Sequence, residues 1–148
     1  MNKLDTDIVS LLIRDGRMSF AEIARRLGVT RAHVRDRVQV LQEAGVIEQF
    51  TAVINPEKLG KSVSAYLDIK VAPQGVEAVA AHLAELPEVA SLYVMSDMRS
   101  LHVHTLTDSH ERLHEFVRRH VYSQAQVTSV ESQTLLSRVK NRRGGPRL

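Results

Sequence analysis

A chain of 148 residues with 43% apolar and 25% charged residues is made like one ordinary folded domain or two small ones, which excludes a disordered chain. Without cysteine there are no disulfides, thiolate metal sites or cysteine nucleophiles, and three Phe, three Tyr and no Trp argue against a stacking platform for single-stranded nucleic acid. The net charge is only +3, so affinity for a polyanion has to come from local patches.

Leu4, Ile8, Leu11 and Leu12 recur at helical spacing, which predicts a first amphipathic helix with Asp5 as its cap and Asp15-Gly16 as its stop. Ser19 followed by Glu22 reads as a capping box, and Phe20, Ile23, Ala24 and Leu27 form the stripe of a second helix. Gly28 suits a left-handed exit. Thr30 can cap a third helix whose Val34, Val38 and Leu41 point inward, with Gly45 at its end.

The charges in this stretch matter more than the helices. With Val34, Val38 and Leu41 inward, the outer arc of the third helix holds Ala32, Arg35, Asp36 and Gln39, and Arg31 and His33 project from its first turn. That pattern suits a helix-turn-helix that seats Thr30 and the following residues in the major groove. Arg31, His33 and Arg35 are then placed at base edges, with Arg25, Arg26 and Arg37 nearer phosphates. The bland alternative is a solvated helical hairpin whose arginines serve solubility.

Residues 46–54 are β-branched and partly alternating, which predicts a strand or short wing, and Asn55-Pro56 ends it. The organisation expected is a DNA-binding domain over 1–54, a linker over 55–61, a second domain over 62–137 and a basic tail over 138–148. Val63, Ala65, Leu67, Ile69 and Val71 alternate with polar neighbours as a strand. Pro73 and Gly75 turn the chain, and Val76, Val79, Ala80, Leu83 and Leu86 make a helix stripe that Pro87 ends. Strands follow over 89–95 and 101–106. Asp108 and Glu111 offer a capping pair for a helix carrying Leu113, Phe116, Val117 and Val121, and a strand over 127–136 closes the set.

The fold class is therefore α+β: an N-terminal winged helix-turn-helix followed by a ferredoxin-like βαββαβ domain, one antiparallel sheet with both helices on one side. The uncovered side, with Tyr66, Leu92 and Val94 assigned to it, is expected to pair with a second copy. A dimer suits DNA, because two recognition helices then meet half-sites one helical turn, ~34–36 Å, apart.

Other chemistry is weighed on the histidines. His110 to His114 spells HExxH, with both imidazoles on one helix face and the glutamate as a possible base, but no third ligand follows and a chance match is preferred. His102 and His104 sit two apart on a strand, with His110 and His114 close behind, a weak set for a divalent ion. His33 lies at the proposed DNA face, where protonation could make binding pH-sensitive. Arg138, Lys140, Arg142, Arg143 and Arg147 make the tail either an arm for phosphates or a frayed, soluble end. No catalytic residue, metal or cofactor is assigned. No leader and no apolar run of about 18 residues is evident, so a cytoplasmic protein without a membrane partner is expected.

Taken together, the chain resembles the Lrp/AsnC, or feast/famine, transcription regulators. The resemblance is carried by LDTDIVSLLIRDGRMS and EIARRLGVTRAHVRDRVQVLQEAGVIEQFTAVINPEKLG. The family's helix-to-strand passage stands here as Arg37-Val38, Leu41 and Gly45-Val46-Ile47, and its linker as residues 52–60. The likeness runs from Leu4 to about residue 140. It implies a homodimer, often built into octamers, that binds double-stranded promoter DNA and responds to a small-molecule effector, usually an amino acid. Family members often carry a G.YD.L turn near that ligand. Here the turn holds Ser96, Asp97, Met98, Arg99 and Ser100, then Leu101, so glycine, aromatic and second acid are replaced by Ser96, Met98 and Arg99. Three rivals stay open: an architectural DNA-binding protein without effector, a metal-responsive regulator, and an enzyme reusing the fold as the related siroheme decarboxylases do.

Overall fold

A computed structural model describes residues 1–140 of the chain. It contains two compact units, Met1–Val53 and Ile54–Val139. No helix among the described residues is long and apolar enough to cross a membrane.

The first unit is three helices, α1 (Lys3–Arg14), α2 (Phe20–Leu27) and α3 (Arg31–Glu43). Their stripes meet in one core of Ile8, Leu12, Ile23, Ala24, Val34 and Val38, flanked by Leu4, Leu11, Phe20, Leu27 and Ile47. Local signals set the ends. Gly28 leaves α2 at φ 67°, a backbone state that costs an L side chain strain, and the Thr30 hydroxyl accepts the His33 N–H at 3.1 Å to start α3.

Three local expectations are corrected. Asn2, not Asp5, caps α1: its side chain accepts the Asp5 N–H at 2.8 Å, and Asp5 returns the bond to the Asn2 N–H at 3.2 Å. The cap thus stands three residues earlier, in a capping box, because Asn is as good a cap as Asp and stands where the chain is still extended. Ser19 does accept the Glu22 N–H, at 3.2 Å. The Glu22 carboxylate, however, goes to two arginines rather than back to the cap. Finally, residues 46–54 form no strand. Val46 and Ile47 bond back to the Leu41 carbonyl, and Phe50, Val53 and Ile54 are left exposed. Strand-like composition needs a neighbouring strand to complete its ladder, and the described residues of the unit supply none.

The second unit runs β1 (Val63–Val71), α4 (Val76–Ala84), β2 (Val89–Val94), β3 (Ser100–Thr107), α5 (His110–Phe116) and β4 (Val127–Thr134). A π-helical turn, Val117–Val121, extends α5. The four strands form one antiparallel sheet in the order β2-β3-β1-β4. Leu67, Ile69, Val71, Leu101 and Val103 from one side of it pack against Val76, Val79, Leu83, Phe116 and Val121 of the helical layer. This is the ferredoxin-like arrangement.

Two further details differ from the sequence reading. Ser109, not Asp108, caps α5, accepting the Arg112 N–H at 3.2 Å. Leu92 and Val94 do not belong to the open side: they stand opposite Val103 and Leu101, on the helix-covered side. A register shift between Val89 and Ser91 sets which residues of β2 face which way. Side-chain period is two, so a one-residue irregularity exchanges the faces beyond it. Of the expected apolar trio only Tyr66 faces the open side.

Candidate nucleic-acid interface

In α3 the inward residues Val34, Val38 and Leu41 are buried, and rotation by the helical repeat leaves Arg31, Ala32, His33, Arg35, Asp36, Gln39 and the capping Thr30 exposed. The sequence reading set Ala32, Arg35, Asp36 and Gln39 on the outer arc, Arg31 and His33 at the first turn and Thr30 at the cap, and all seven are exposed. Exposed Arg25 and Arg26 lie on α2.

The charges are not independent. Glu22 accepts from Arg25 at 2.9 and 2.8 Å and from Arg26 at 2.6 Å. Those hydrogen bonds, Arg25 first and Arg26 next, lower its pKa to about 2. The trio therefore presents one net positive charge at neutral pH, and both guanidiniums are pre-aligned on a common acid. Arg35 forms a forked contact with Asp36, at 3.0 and 2.8 Å, which holds the guanidinium beside the helix. Exposed pairs of this kind contribute little stability and exchange readily for a phosphate or a base edge.

Arg37 also makes a contact inside the unit. Its guanidinium binds Asp5 of α1 at 2.8 and 2.9 Å, and the Asp5 side chain is only 3% exposed. The fork from Arg37, together with the Asn2 N–H, holds the Asp5 carboxyl below its usual range against the opposing effect of burial. Arg37 thus fastens α1 to α3 through Asp5, a contact the sequence reading did not expect, with its side chain still 28% exposed. Sequence reading missed Asp5 because nothing local marks a partner 32 positions away.

In the second unit, Ser96, Asp97, Met98 and Arg99 lie in the turn between β2 and β3, and Ser100 is the first residue of β3. Asp97 accepts the backbone N–H groups of Arg99 at 3.0 Å and Ser100 at 2.9 Å, and the Ser100 hydroxyl as well. Those bonds, the Ser100 hydroxyl first, hold its carboxyl well below the carboxylate range. Lys70 donates to the buried Ser100 hydroxyl and lies 3.6 Å from Asp97. Met98 sits at φ 56°, the one positive-φ residue besides glycines among the described residues. The turn's own N–H and hydroxyl groups bond to Asp97, whose side chain stays 48% exposed beside the exposed Arg99.

The histidines do not converge. His102 and His104 lie on the open side of the sheet, while α5, carrying His110 and His114, packs through Leu113 and Phe116 on the other. Among the described residues no group of three or more His, Asp or Glu is placed to hold a metal ion. The HExxH spacing therefore lies on an exposed helix face away from His102 and His104. In the tail, Arg138 and Lys140 are exposed. Arg142, Arg143 and Arg147 lie outside the described residues.

Known proteins match both units. The winged helix-turn-helix DNA-binding family matches residues 1–48, and the Lrp/AsnC ligand binding domain matches residues 64–144. An uncharacterised HTH-type transcriptional regulator of Pyrococcus abyssi is 34% identical over 137 residues, covering 93% of this chain and 87% of its own length. The HTH-type transcriptional regulator Ptr1 of Methanocaldococcus jannaschii is 32% identical over 141 residues, 95% of each chain. Among solved structures, the leucine response regulatory protein of Mycobacterium tuberculosis matches 97% of both chains with a TM-score of 0.84 and 28% identity.

Proposed function

The chain belongs to the Lrp/AsnC family of transcriptional regulators, and from that premise we propose that it reads specific promoter sequences as a homodimer whose sensing unit answers to an amino acid or a related metabolite. DNA binding and a ligand-binding domain come with the family. The finer reading rests on the exposed face of α3, where Arg31, His33 and Arg35 are carried on a helix whose other side is locked into a core. Such a helix can enter the major groove as a rigid body, with Arg25 and Arg26 toward the phosphates. Two copies supply the two helices that a palindromic site requires, and higher assemblies up to an octamer extend the same contact. A role on promoter DNA supports a cytoplasmic location.

The effector is assigned to the turn of Ser96, Asp97, Met98, Arg99 and Ser100. Arg99 is the group there able to fork onto a carboxylate. The name of the M. tuberculosis relative, a leucine response protein, supports an amino acid as the class. Effector binding would act by favouring one arrangement of the two α3 helices over another.

Titration of the full chain against its own upstream region and against random DNA of equal length, at ~150 mM salt where non-specific phosphate binding is weak, tests this reading. Selective binding that shifts when single amino acids are added is the expected outcome. Equal affinity for both DNAs, unmoved by any amino acid, would replace it with an architectural protein.

A further inference from the structure

The outer arc of α3 carries an acid at its centre. By the helical repeat of about 100° per residue, Asp36 stands about 200° round from Val34, nearly opposite the buried stripe of Val34, Val38 and Leu41. The middle of that arc is what a helix in the major groove presents to the groove floor. Ala32, one turn earlier on the same row, adds only a methyl group and lets the helix approach closely. A carboxylate at this position repels phosphates and adds nothing to affinity for DNA at large. It is useful only where the groove floor offers a donor.

The partner of Asp36 is Arg35. Consecutive residues on a helix do not face each other, so the two side chains meet only by reaching out beyond the helix surface. Arg35 Nε and Nη2 donate to the same carboxylate oxygen, Asp36 Oδ1, at 3.0 and 2.8 Å. Both bonds leave from one edge of the guanidinium. Its end edge, formed by Nη1 and the second Nη2 hydrogen, keeps two parallel donors, and Asp36 Oδ2 keeps its lone pairs. The side chains are 65% and 60% exposed, so the contact contributes little to stability. What it does is set two donors and one acceptor side by side on the outer face of α3.

We propose that Arg35 and Asp36 act as one unit that reads a G·C base pair, with Arg35 forking onto guanine N7 and O6 and Asp36 accepting from cytosine N4. The assignment deepens the reading of α3 given above and rests on it. Across the major groove a G·C pair presents acceptor, acceptor, donor, the complement of that row. An A·T pair presents acceptor, donor, acceptor, and mismatches two of the three. The reversed pair presents the same groups in the opposite order, so the unit also fixes the strand on which guanine lies. Asp36 is thereby a specificity-determining residue. Its charge also lowers the attraction of the face for phosphates in general, which widens the gap between the specific site and other DNA.

The test is selection of binding sites from a random duplex library with the full chain. Anisotropy titration of the enriched duplex and of random DNA follows, at ~150 mM salt. Wild type should enrich a G·C pair in each half-site and lose about 10-fold or more in affinity when that pair becomes A·T. Asp36→Ala should bind the enriched duplex at least ~10-fold more weakly, yet hold random DNA as tightly as wild type or more tightly. It should accept A·T at that one pair to within ~3-fold, with its preferences at other pairs intact. Arg35→Ala should lose its preference at the same pair. Equal weakening on both DNAs, or a G·C preference that survives in Asp36→Ala, overturns the proposal. So do losses at different base pairs in the two variants. A wild-type chain that enriches no sequence overturns the reading of α3 itself and this assignment with it. A selective wild type matched by Asp36→Ala overturns the assignment alone.

Discussion

Arg37 ties α3 to α1 through Asp5, and its loss has a signature that no phosphate contact shares. Arg37→Met strands a buried carboxylate, so the melting temperature of the three-helix unit should fall by on the order of 5–10 °C without any DNA present. Asp5→Asn in the same chain should recover part of that loss, since no buried charge is then left unpaired. Circular dichroism melts of the two variants check both statements, and an unchanged melt for Arg37→Met would return Arg37 to the DNA face. The pair also sets an acid limit. Because the Asp5 carboxyl is held below its unfolded value, its stabilisation is present above about pH 4 and disappears as pH falls through the lower folded value. Arg35 behaves differently. It is paired with the exposed Asp36, so Arg35→Ala should leave stability unchanged. It should weaken binding to the specific site by roughly 10- to 100-fold while random DNA loses only a few-fold. Equal losses on the two DNAs in a filter or anisotropy titration would move Arg35 to the phosphates. None of this division was visible in composition, where Arg31, Arg35 and Arg37 look alike. Burial of the partner separates them.

At the scale of elements, α3 is started by one hydroxyl. Thr30 satisfies the His33 N–H, and the first turn it organises carries Arg31 and His33. Thr30→Ala should cost about 1 kcal/mol and fray that turn. A small loss of stability should therefore accompany a loss of specific binding that Thr30→Ser largely restores. Hydrogen exchange at His33 measures the fraying directly, and unchanged protection there would deny the cap its role. Among the described residues, periodicity was sufficient to place the five α-helices and four strands, since a buried stripe at spacing 3.6 or 2 is a property of the chain alone. It failed at residues 46–54, where the composition was that of a strand but no partner strand was present. It also failed on β2, where a bulge rather than hydropathy decides which way Leu92 and Val94 point.

For the molecule as a whole, the homodimer reading makes a geometric demand on DNA. Two α3 helices on a two-fold axis reach half-sites one or more full turns apart. Inserting ~5 bp between half-sites should therefore abolish cooperative binding, and ~10 bp should restore it. Footprinting on the three operators checks this, and indifference to the insertion would mean that each unit binds alone. The open side of the sheet belongs to the same scale. Its cross-strand pairs join residues as far apart in the chain as Tyr66 and Gln133.

The amino-acid sequence by itself determined the helix-turn-helix, the order of strands and helices, the inward stripes and the outward basic arc of α3. Each follows from local periodicity, caps and turn residues within a few positions of one another. Tertiary structure alone decided that Arg37 fastens a core, that Asp97 bonds into its own turn, and that the histidines fall on opposite sides of the sheet. Those outcomes depend on strand register and on which distant side chain arrives beside a charge. Cross-strand pairing brings together residues whose separation along the chain carries no trace of their contact.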